Sequence, residues 1–490
     1  MTFKFTPENI EELFGAEAAE QEDTKRLRKY FFKSKTYEDV RANLPLRILV
    51  AHKGIGKSAM FKVCFSEDLD QRSLSLWVRP DDLLNFRFDE TTDLNALIRN
   101  WKSGLLDLIA SKVVSFVGEA PTSTAVKTIA IAGAGITNAL ISFFKKKLGD
   151  ALDPAIQATL EKFLTSKKIL IYIDDLDRGW EGKPVDIRRI SALLNALRDM
   201  STDYPGLHFR VALRADVYFL VRTSDESTDK IERSVIWYSW TNHEIFQILV
   251  KRVGTFFDRQ LNEKQLSGMQ QWQLAKVLDS IMEPRFAGKG HWENAPTFRV
   301  LLSLVRKRPR DLIKLCSEAA NNARRRDGEL ITTADLKDVF ESYSQGRLQD
   351  TINEYRTELP AIERLLFGMK PARQERKTAQ GYQYDTAKLL EKIENIQQGG
   401  KFSFATGKTA STKDLASFMY KINFLTARKE LANGEIDRKY FEENRYISSQ
   451  FVDFGYDWEV HPAYRWALQP DSIEDIFESL KLSSMDFAKT

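Results

Sequence analysis

Residues 46–58, LRILVAHKGIGKS, constrain this chain more than any other stretch. Leu46-Arg47-Ile48-Leu49-Val50 is a short apolar run rich in branched residues, the composition of a buried strand. A glycine-containing loop follows at once, and the segment SAMFKVCF beyond it reads as a helix. Strand, glycine loop, helix is the opening unit of a nucleotide-binding α/β domain. The octet Ala51-His52-Lys53-Gly54-Ile55-Gly56-Lys57-Ser58 fits the phosphate-loop pattern, with alanine where the first glycine usually stands. Each part of it has a physical task. Gly54 and Gly56 let the backbone turn so that N–H groups converge on phosphate oxygens. The helix that begins at Lys57 and runs on through Ala59 aims its positive end at the same anion. Lys57 is expected to reach the outer phosphates, and the Ser58 hydroxyl to ligate magnesium.

Further along, strand-like and helix-like runs alternate. Ser75–Val78, Lys168–Ile173, His208–Leu213 and Val235–Tyr238 read as strands, and residues 92–118 and 185–200 as helices. That alternation implies a parallel sheet covered on both faces. The third strand runs into two acids within ILIYIDDLDR, residues 169–178. An apolar strand that ends in two carboxylates downstream of a phosphate loop is the Walker B pattern. Asp174 is expected to hold magnesium and Asp175 to orient or deprotonate the attacking water. Asp177 and Arg178 either pair with each other in a solvated turn or complete the site at a subunit boundary.

The length of 490 residues implies several domains. The expected division is an N-terminal helical segment (1–43), a phosphate-loop core (44–241, with an insertion at about 119–150), a helical lid (242–350) and a C-terminal, winged-helix-like α+β module (351–490). After Asn242 the strand pattern stops, and 242–345 read as helices throughout. The two cysteines, Cys64 and Cys316, exclude a disulfide scaffold and fit a reducing cytoplasm. The scattered histidines argue against a zinc site. A net charge of +4 over this length does not by itself call for a nucleic-acid partner. The N-terminus shows no signal-peptide pattern. Thr128–Phe144 is apolar, but too short and too polar for a membrane span, so it is expected to be a packed helix. The basic cluster Arg306-Lys307-Arg308, Arg310 and Arg324-Arg325-Arg326 is expected first as a solvated face, and second as a stripe for a phosphate backbone. Thr406-Gly407-Lys408-Thr409 ends in the letters of the phosphate loop but has no strand before it, so it reads as a loop. Leu266–Gln270 resembles the ABC-transporter signature but lies after the acidic strand, so that class is rejected.

IDDLDR after an apolar strand resembles the KAP-type P-loop NTPases and their relatives in the STAND branch, which are signalling ATPases of AAA+-like build. The resemblance spans about residues 40–345. It implies ATP and Mg2+ as ligands, ATP hydrolysis, a homo-oligomer, and a protein effector controlled by the ATPase, in the setting of bacterial antiphage defence. It implies that Arg214, after the strand FRVAL, senses the γ-phosphate, and that Arg310, in RPRDL, is a second sensor carried on the lid. A surface arginine and a solvated helix start are the alternatives at those two positions. Arg178, Arg198 and Arg222 are candidates for an arginine offered to a neighbouring subunit. The alternative function is a DNA-binding initiator or loader similar to origin-recognition ATPases. No membrane attachment is carried over from the KAP group.

Overall fold

The computed structural model describes residues 3–16, 21–71, 73–83, 93–119, 168–224, 226–259, 261–372, 375, 381–443, 455–469, 476 and 480–485. The insertion expected after residue 119, the Thr128–Phe144 segment and the helix expected at 154–165 lie outside these residues. The chain forms two compact units. One comprises residues 23–28 and 33–238, the other residues 1–22, 29–32 and 239–490.

The first unit is a three-layer α/β core. Its strands are β1 (Leu46–Ala51), β2 (Leu74–Val78), β3 (Ile169–Ile173), β4 (Leu207–Arg214) and β5 (Val235–Trp237). They form one sheet in the order β2-β3-β4-β1-β5, and every pairing is parallel. The helices are α1 (Lys57–Asp70), α2 (Leu94–Glu119), α3 (Pro184–Asp203) and α4 (Ala215–Ser224). Period-two alternation separates the two faces. Ile48, Val50, Ile171, Ile173, Val211 and Leu213 pack with α2, α3 and α4 in one apolar cluster. Tyr172, one residue out of phase, meets Phe61 and Phe65 of α1 on the opposite face, with ring centroids 5.3 and 5.8 Å away. Both faces are covered, which is why the strands read as continuous apolar runs.

Charge enters this core only where it is bonded. Arg210 on β4 is 2% exposed, and donates from Nη1 to Leu44 O at 3.0 Å and from Nη2 to Ala42 O at 2.8 Å. It thereby fixes the chain that leads into β1, since orphaned carbonyls there would each cost on the order of 1–3 kcal/mol.

The second unit starts from the N-terminal helix Pro7–Phe14, which packs on α5 (Asn242–Phe256) and α7 (Pro309–Arg325). Between these lies α6 (Thr297–Ser303), and α8 (Thr333–Tyr355) follows. Residues 242–345 are not wholly helical. Arg285–Ala287 (β6) and Glu293–Pro296 (β7) make an antiparallel hairpin. Its connection is a single 3-10 turn, Gly290–Trp292, entered at Gly290 with φ 59°, and Asn294 within β7 has φ 54°, outside the α-helical range. The hairpin buries Phe286 and Trp292 against Phe340 of α8.

The basic cluster is corrected in part, since Arg324, Arg325 and Arg326 are exposed as expected but the other run is not. Arg306, Lys307 and Arg308 are 2%, 7% and 3% exposed, so they form no solvated face. Arg306 pairs with Asp311, Lys307 with Glu443, and Arg308 with Glu354. A buried charge persists only when paired, and here each partner is a carboxylate from the same unit.

The C-terminal part of this unit is α+β. A helix at Ile362–Gly368 precedes β8 (Gln383–Tyr384), then come helices Thr386–Gln398 and Thr412–Lys421, then β9 (Leu425–Glu430), β10 (Ile436–Lys439) and β11 (Asp457–Val460). The sheet order is β10-β9-β11-β8, with antiparallel pairing throughout. Helix, strand, two helices, then a hairpin that folds back beside the first strand is a winged-helix order, here with β10 added on the outer edge. Thr406–Thr409 is a loop, closed by a Ser403–Thr409 bridge and turned at Gly407, φ 84°. Among the described residues no helix is long and apolar enough to cross a membrane.

Candidate nucleotide site

The loop after β1 has the backbone its sequence requires. Gly54 and Gly56 have φ values of 83° and 110°, in the region where only glycine is unstrained. Gly56 is the N-cap of α1, so the first N–H groups of that helix open directly into the loop. Lys57 Nζ donates to Ala51 O at 3.1 Å and to His52 O at 3.4 Å, curling back over the loop that carries it. Ala51, His52 and Ile55 are buried, Lys53 is exposed, and Gly54, Gly56, Lys57, Ser58 and Ala59 are half-buried. The substitution of alanine for glycine at position 51 is accommodated because Ala51 still belongs to β1 and pairs with Arg214.

Strand order brings the other predicted residues to the same edge of the sheet. β1 lies between β4 and β5, and β4 lies between β1 and β3. The carboxyl ends of β1, β3, β4 and β5 therefore carry Ala51, Asp174, Arg214 and Tyr238. In open α/β sheets this edge, where the strand order reverses, is where ligands bind.

Asp174 is 7% exposed, and its Oδ1 accepts the N–H of Asp175 at 2.9 Å. That bond accompanies an unusual backbone at Asp175, which has φ 59° and an exposed side chain. A non-glycine residue in the left-handed region costs on the order of 1–2 kcal/mol, and aspartate tolerates it better than most because its short side chain bonds locally. The donor set of Ser58 hydroxyl and Asp174 carboxylate, all hard oxygen, suits a magnesium ion.

Arg214 is 15% exposed at the side chain and is bound by two carboxylates. Its Nε and Nη2 donate to Asp216 Oδ1 and Oδ2 at 3.0 and 2.7 Å, and its Nη1 to Asp177 Oδ2 at 3.1 Å. Asp177 thus pairs with Arg214 and not with Arg178, which corrects the solvated-turn expectation. Arg178 reaches Asp81 at 3.2 Å on an exposed surface. Arg198 and Arg222 are engaged by Asp199 and Glu232. Arg310 stands on the first turn of α7 in the second unit, half-buried, next to the fully paired Asp311.

Some contributors were not anticipated. Tyr238, 1% exposed, closes the sheet beside the loop. Its N–H donates to Val50 O at 2.9 Å, and its hydroxyl would stand 3.9 Å from a side chain placed at Gly56. Asp216 is 5% exposed and fixes Arg214 from two residues away, a spacing visible in LRAD. Beyond β3 a cleft of about 610 Å³ is lined by Pro80, Asp81, Trp101, Asp175, Arg178 and Trp180, among others. None of its lining residues comes from the phosphate loop.

Comparison with known proteins assigns no family to the whole chain. A family described as the FunZ-associated C-terminal helical domain matches residues 274–352, within the second unit. The putative transposon gamma-delta 80.3 kDa protein of Escherichia coli is 23% identical over 329 residues, 64% of this chain and 43% of the relative. The allergen Alt a 2 of Alternaria alternata is 26% identical over 144 residues, 29% of this chain and 67% of the relative. Among solved structures, a Walker-type ATPase of Pyrococcus abyssi aligns at 12% identity with a TM-score of 0.37, covering 84% of this chain and 93% of its own. The ORC2 protein of Aeropyrum pernix aligns at 11% identity with a TM-score of 0.39, covering 91% and 93%. At these scores the likeness does not reach function. The chain spans less than half the length of the gamma-delta relative, and the second unit, not the nucleotide core, is where the named domain family resides.

Proposed function

We propose that this protein is an Mg2+-dependent ATPase that works as a molecular switch. One observation carries the reading. The glycine loop between β1 and α1 and the acid pair at the end of β3 lie on one edge of a five-stranded parallel sheet, with β4 between them. Lys57 and the N–H groups that open α1 would hold the phosphates, Ser58 and Asp174 the magnesium, and Asp175 the attacking water. Bound magnesium supplies charge neutralisation and a template for the phosphates. The chain's own work is to present N–H donors from a preformed loop and to seat a carboxylate on the water. Arg214 and Arg310 are the candidate reporters of the third phosphate. Following the KAP and STAND likeness of IDDLDR, the switch controls a partner effector through a homo-oligomer, in a cytoplasmic antiphage setting.

The winged-helix order favours a second reading, a DNA-binding initiator or loader. Its charges favour it less. On helix Thr412–Lys421 and the loop before it, Lys408 is paired with Asp414 and Lys421 with Glu358, and the 306–308 cluster is buried. A protein-contacting helix fits these two paired lysines better than a phosphate backbone does, with Lys413 left as an exposed charge on the same helix.

Nucleotide binding and turnover of the purified chain test the first reading. Lys57→Ala is expected to abolish binding or hydrolysis, and Asp175→Asn to keep binding and lose turnover. Full activity in Lys57→Ala refutes the assignment. A mobility shift with duplex DNA at low salt that weakens steeply as salt rises decides for the initiator.

A further inference from the structure

Arg214 takes its partners from two different elements. Asp216 lies two residues on, in the first turn of α4, and binds it through Nε and Nη2. Asp177 belongs to the turn after β3, and takes Nη1. The two carboxylates differ in exposure, 5% for Asp216 against 17% for Asp177. Releasing Asp216 would strand a buried charge, which is costly. Asp177 is the more exposed of the two, so releasing it costs less. The guanidinium therefore has one firm anchor and one exchangeable acceptor.

The turn that carries Asp177 is short and internally bonded. Arg178 N–H donates to Asp175 O at 3.1 Å, and Trp180 N–H to Asp177 O at 3.0 Å. Gly179 sits at φ 77°. A movement of Asp177 is thus passed to Asp175 on one side and to Trp180 on the other. Asp175, Leu176, Arg178, Gly179 and Trp180 together form one wall of the 610 Å³ cleft. On the other side of Arg214, its backbone pairs with Ala51, the first residue of the phosphate loop.

We propose that Asp177 is the resting acceptor of Arg214 Nη1 and that the γ-phosphate of a nucleotide in the Ala51–Ser58 loop displaces it, so that the Asp175–Trp180 turn and its cleft take one form with a triphosphate and another with a diphosphate. This rests on the nucleotide reading given above. A phosphate oxygen and a carboxylate oxygen compete for the same N–H on equal geometric terms, and the phosphate carries more charge. A diphosphate has no group in that place, and leaves Asp177 where it is. Asp177 is a positioning residue in this scheme, acting through Arg214.

The test uses the full chain with Mg2+ and either ADP or a non-hydrolysable ATP analogue. It follows binding and tryptophan fluorescence, with Trp180→Phe used to assign the signal to Trp180. In the wild type, a Trp180 signal is expected with the analogue and not with ADP. Asp177→Ala removes the competitor, so the ratio of analogue to ADP affinity is expected to rise roughly two- to fivefold, the range of a partly exposed ion pair. In that variant the analogue-type Trp180 signal is expected without nucleotide. A residue of purely structural importance would weaken both ligands alike and leave the ratio unchanged. Binding of both nucleotides with an unchanged ratio, or an equal Trp180 signal from both in the wild type, overturns the latch alone. Failure of the wild type to bind either nucleotide overturns the nucleotide reading, and the latch with it.

Discussion

Asp311 is the residue on which the second unit is expected to depend most for stability. Its carboxylate accepts from Arg306 Nε at 2.7 Å, from Arg306 Nη2 at 2.9 Å and from Arg347 Nη1 at 2.8 Å. The side chains of Asp311, Arg306 and Arg347 are 2%, 1% and 6% exposed, so none of the three can recover hydration if a partner is lost. Asp311→Asn removes the negative charge and keeps the shape. Two buried guanidinium groups then face a neutral amide. Breaking a buried pair from one side costs about 3–5 kcal/mol. With a urea slope of about 2–3 kcal/mol/M the unfolding midpoint of this unit should fall by roughly 1–2 M. Replacing all three charges by apolar groups of similar volume (Arg306→Met, Asp311→Leu, Arg347→Met) should recover most of that loss, because the charged partner then left without its pair, Asp350, is 54% exposed and keeps its hydration. The arginines also hold the folded carboxyl of Asp311 far below the ordinary carboxylate range, against the opposing effect of burial. A depressed folded pKa gives stability that is fully present above the unfolded value of about 3.9 and drains away as pH falls below it. Asp311→Asn should therefore flatten the acid limb of the stability curve as well as lower its plateau. Urea titrations followed by circular dichroism at neutral pH and at about pH 3.5 measure both effects. A midpoint shift below about 0.3 M, or an unaltered acid limb, refutes the reasoning.

Two further outcomes are expected. Gly56→Ala adds a methyl group with nothing closer than the Tyr238 hydroxyl at 3.9 Å, so sterics do not forbid it, but φ 110° does. The loop should relax out of its phosphate-binding form. Nucleotide affinity is then lost while the circular-dichroism spectrum is unchanged, and retained affinity would show that the loop's left-handed turn is not needed. The second outcome concerns pH. His461 is fully buried, between Tyr440 Oη at 2.8 Å and the Ala463 N–H at 3.1 Å, and burial, helped by nearby arginines, holds its pKa well below 6.5. His208 in the first unit is pushed down to about 4, by burial first and then by Arg210 and Lys168. Each ring stays neutral when folded and takes a proton when unfolded. Stability is therefore full above pH 6.5 and falls below it by up to about 1.4 kcal/mol per pH unit in each histidine's own unit. Denaturation midpoints at pH 7 and pH 5 check this. His461→Phe should flatten the slope for the second unit, and a slope unchanged by that substitution counts against the assignment.

Much of the core was legible because its signals are local. ILIYI is apolar at every position, and LRILV and HFRVAL are mostly so, broken by Arg47, His208 and Arg210, since a parallel strand is buried on both faces, and each appears as a strand in the structure. The glycines of the loop announce the φ values that the structure gives them. What failed did so for physical reasons. Arg306-Lys307-Arg308 looks like a solvated basic face because burial is decided by distant carboxylates. Glu354 and Glu443, which neutralise two of these side chains, lie 46 and 136 residues away. The β6–β7 hairpin was missed because strands of three and four residues carry too little period to register, and the turn glycines Gly288 and Gly290 were their strongest sign.

The pairing of Asp177 is the most informative of these failures. Within IDDLDR the nearest opposite charge to Asp177 is Arg178, and a reading by sequence distance joins them. The sheet order decides otherwise. β4 enters between β1 and β3, so the residue that ends β4 stands beside the phosphate loop on one side and the acidic turn on the other. Arg214 is that residue, and a guanidinium with separate N–H groups can serve both neighbours at once. Had β4 been added at the sheet edge, Asp177 would have had only Arg178 or solvent. Any link between the loop and the acidic turn is therefore a property of strand order and not of either motif. Moving the arginine while both motifs are left intact should then uncouple them. Arg214→Lys keeps the charge but cannot hold Asp216 in bidentate fashion and Asp177 together. Nucleotide binding through Lys57 should persist in that variant, while any difference between triphosphate and diphosphate at the acidic turn should disappear.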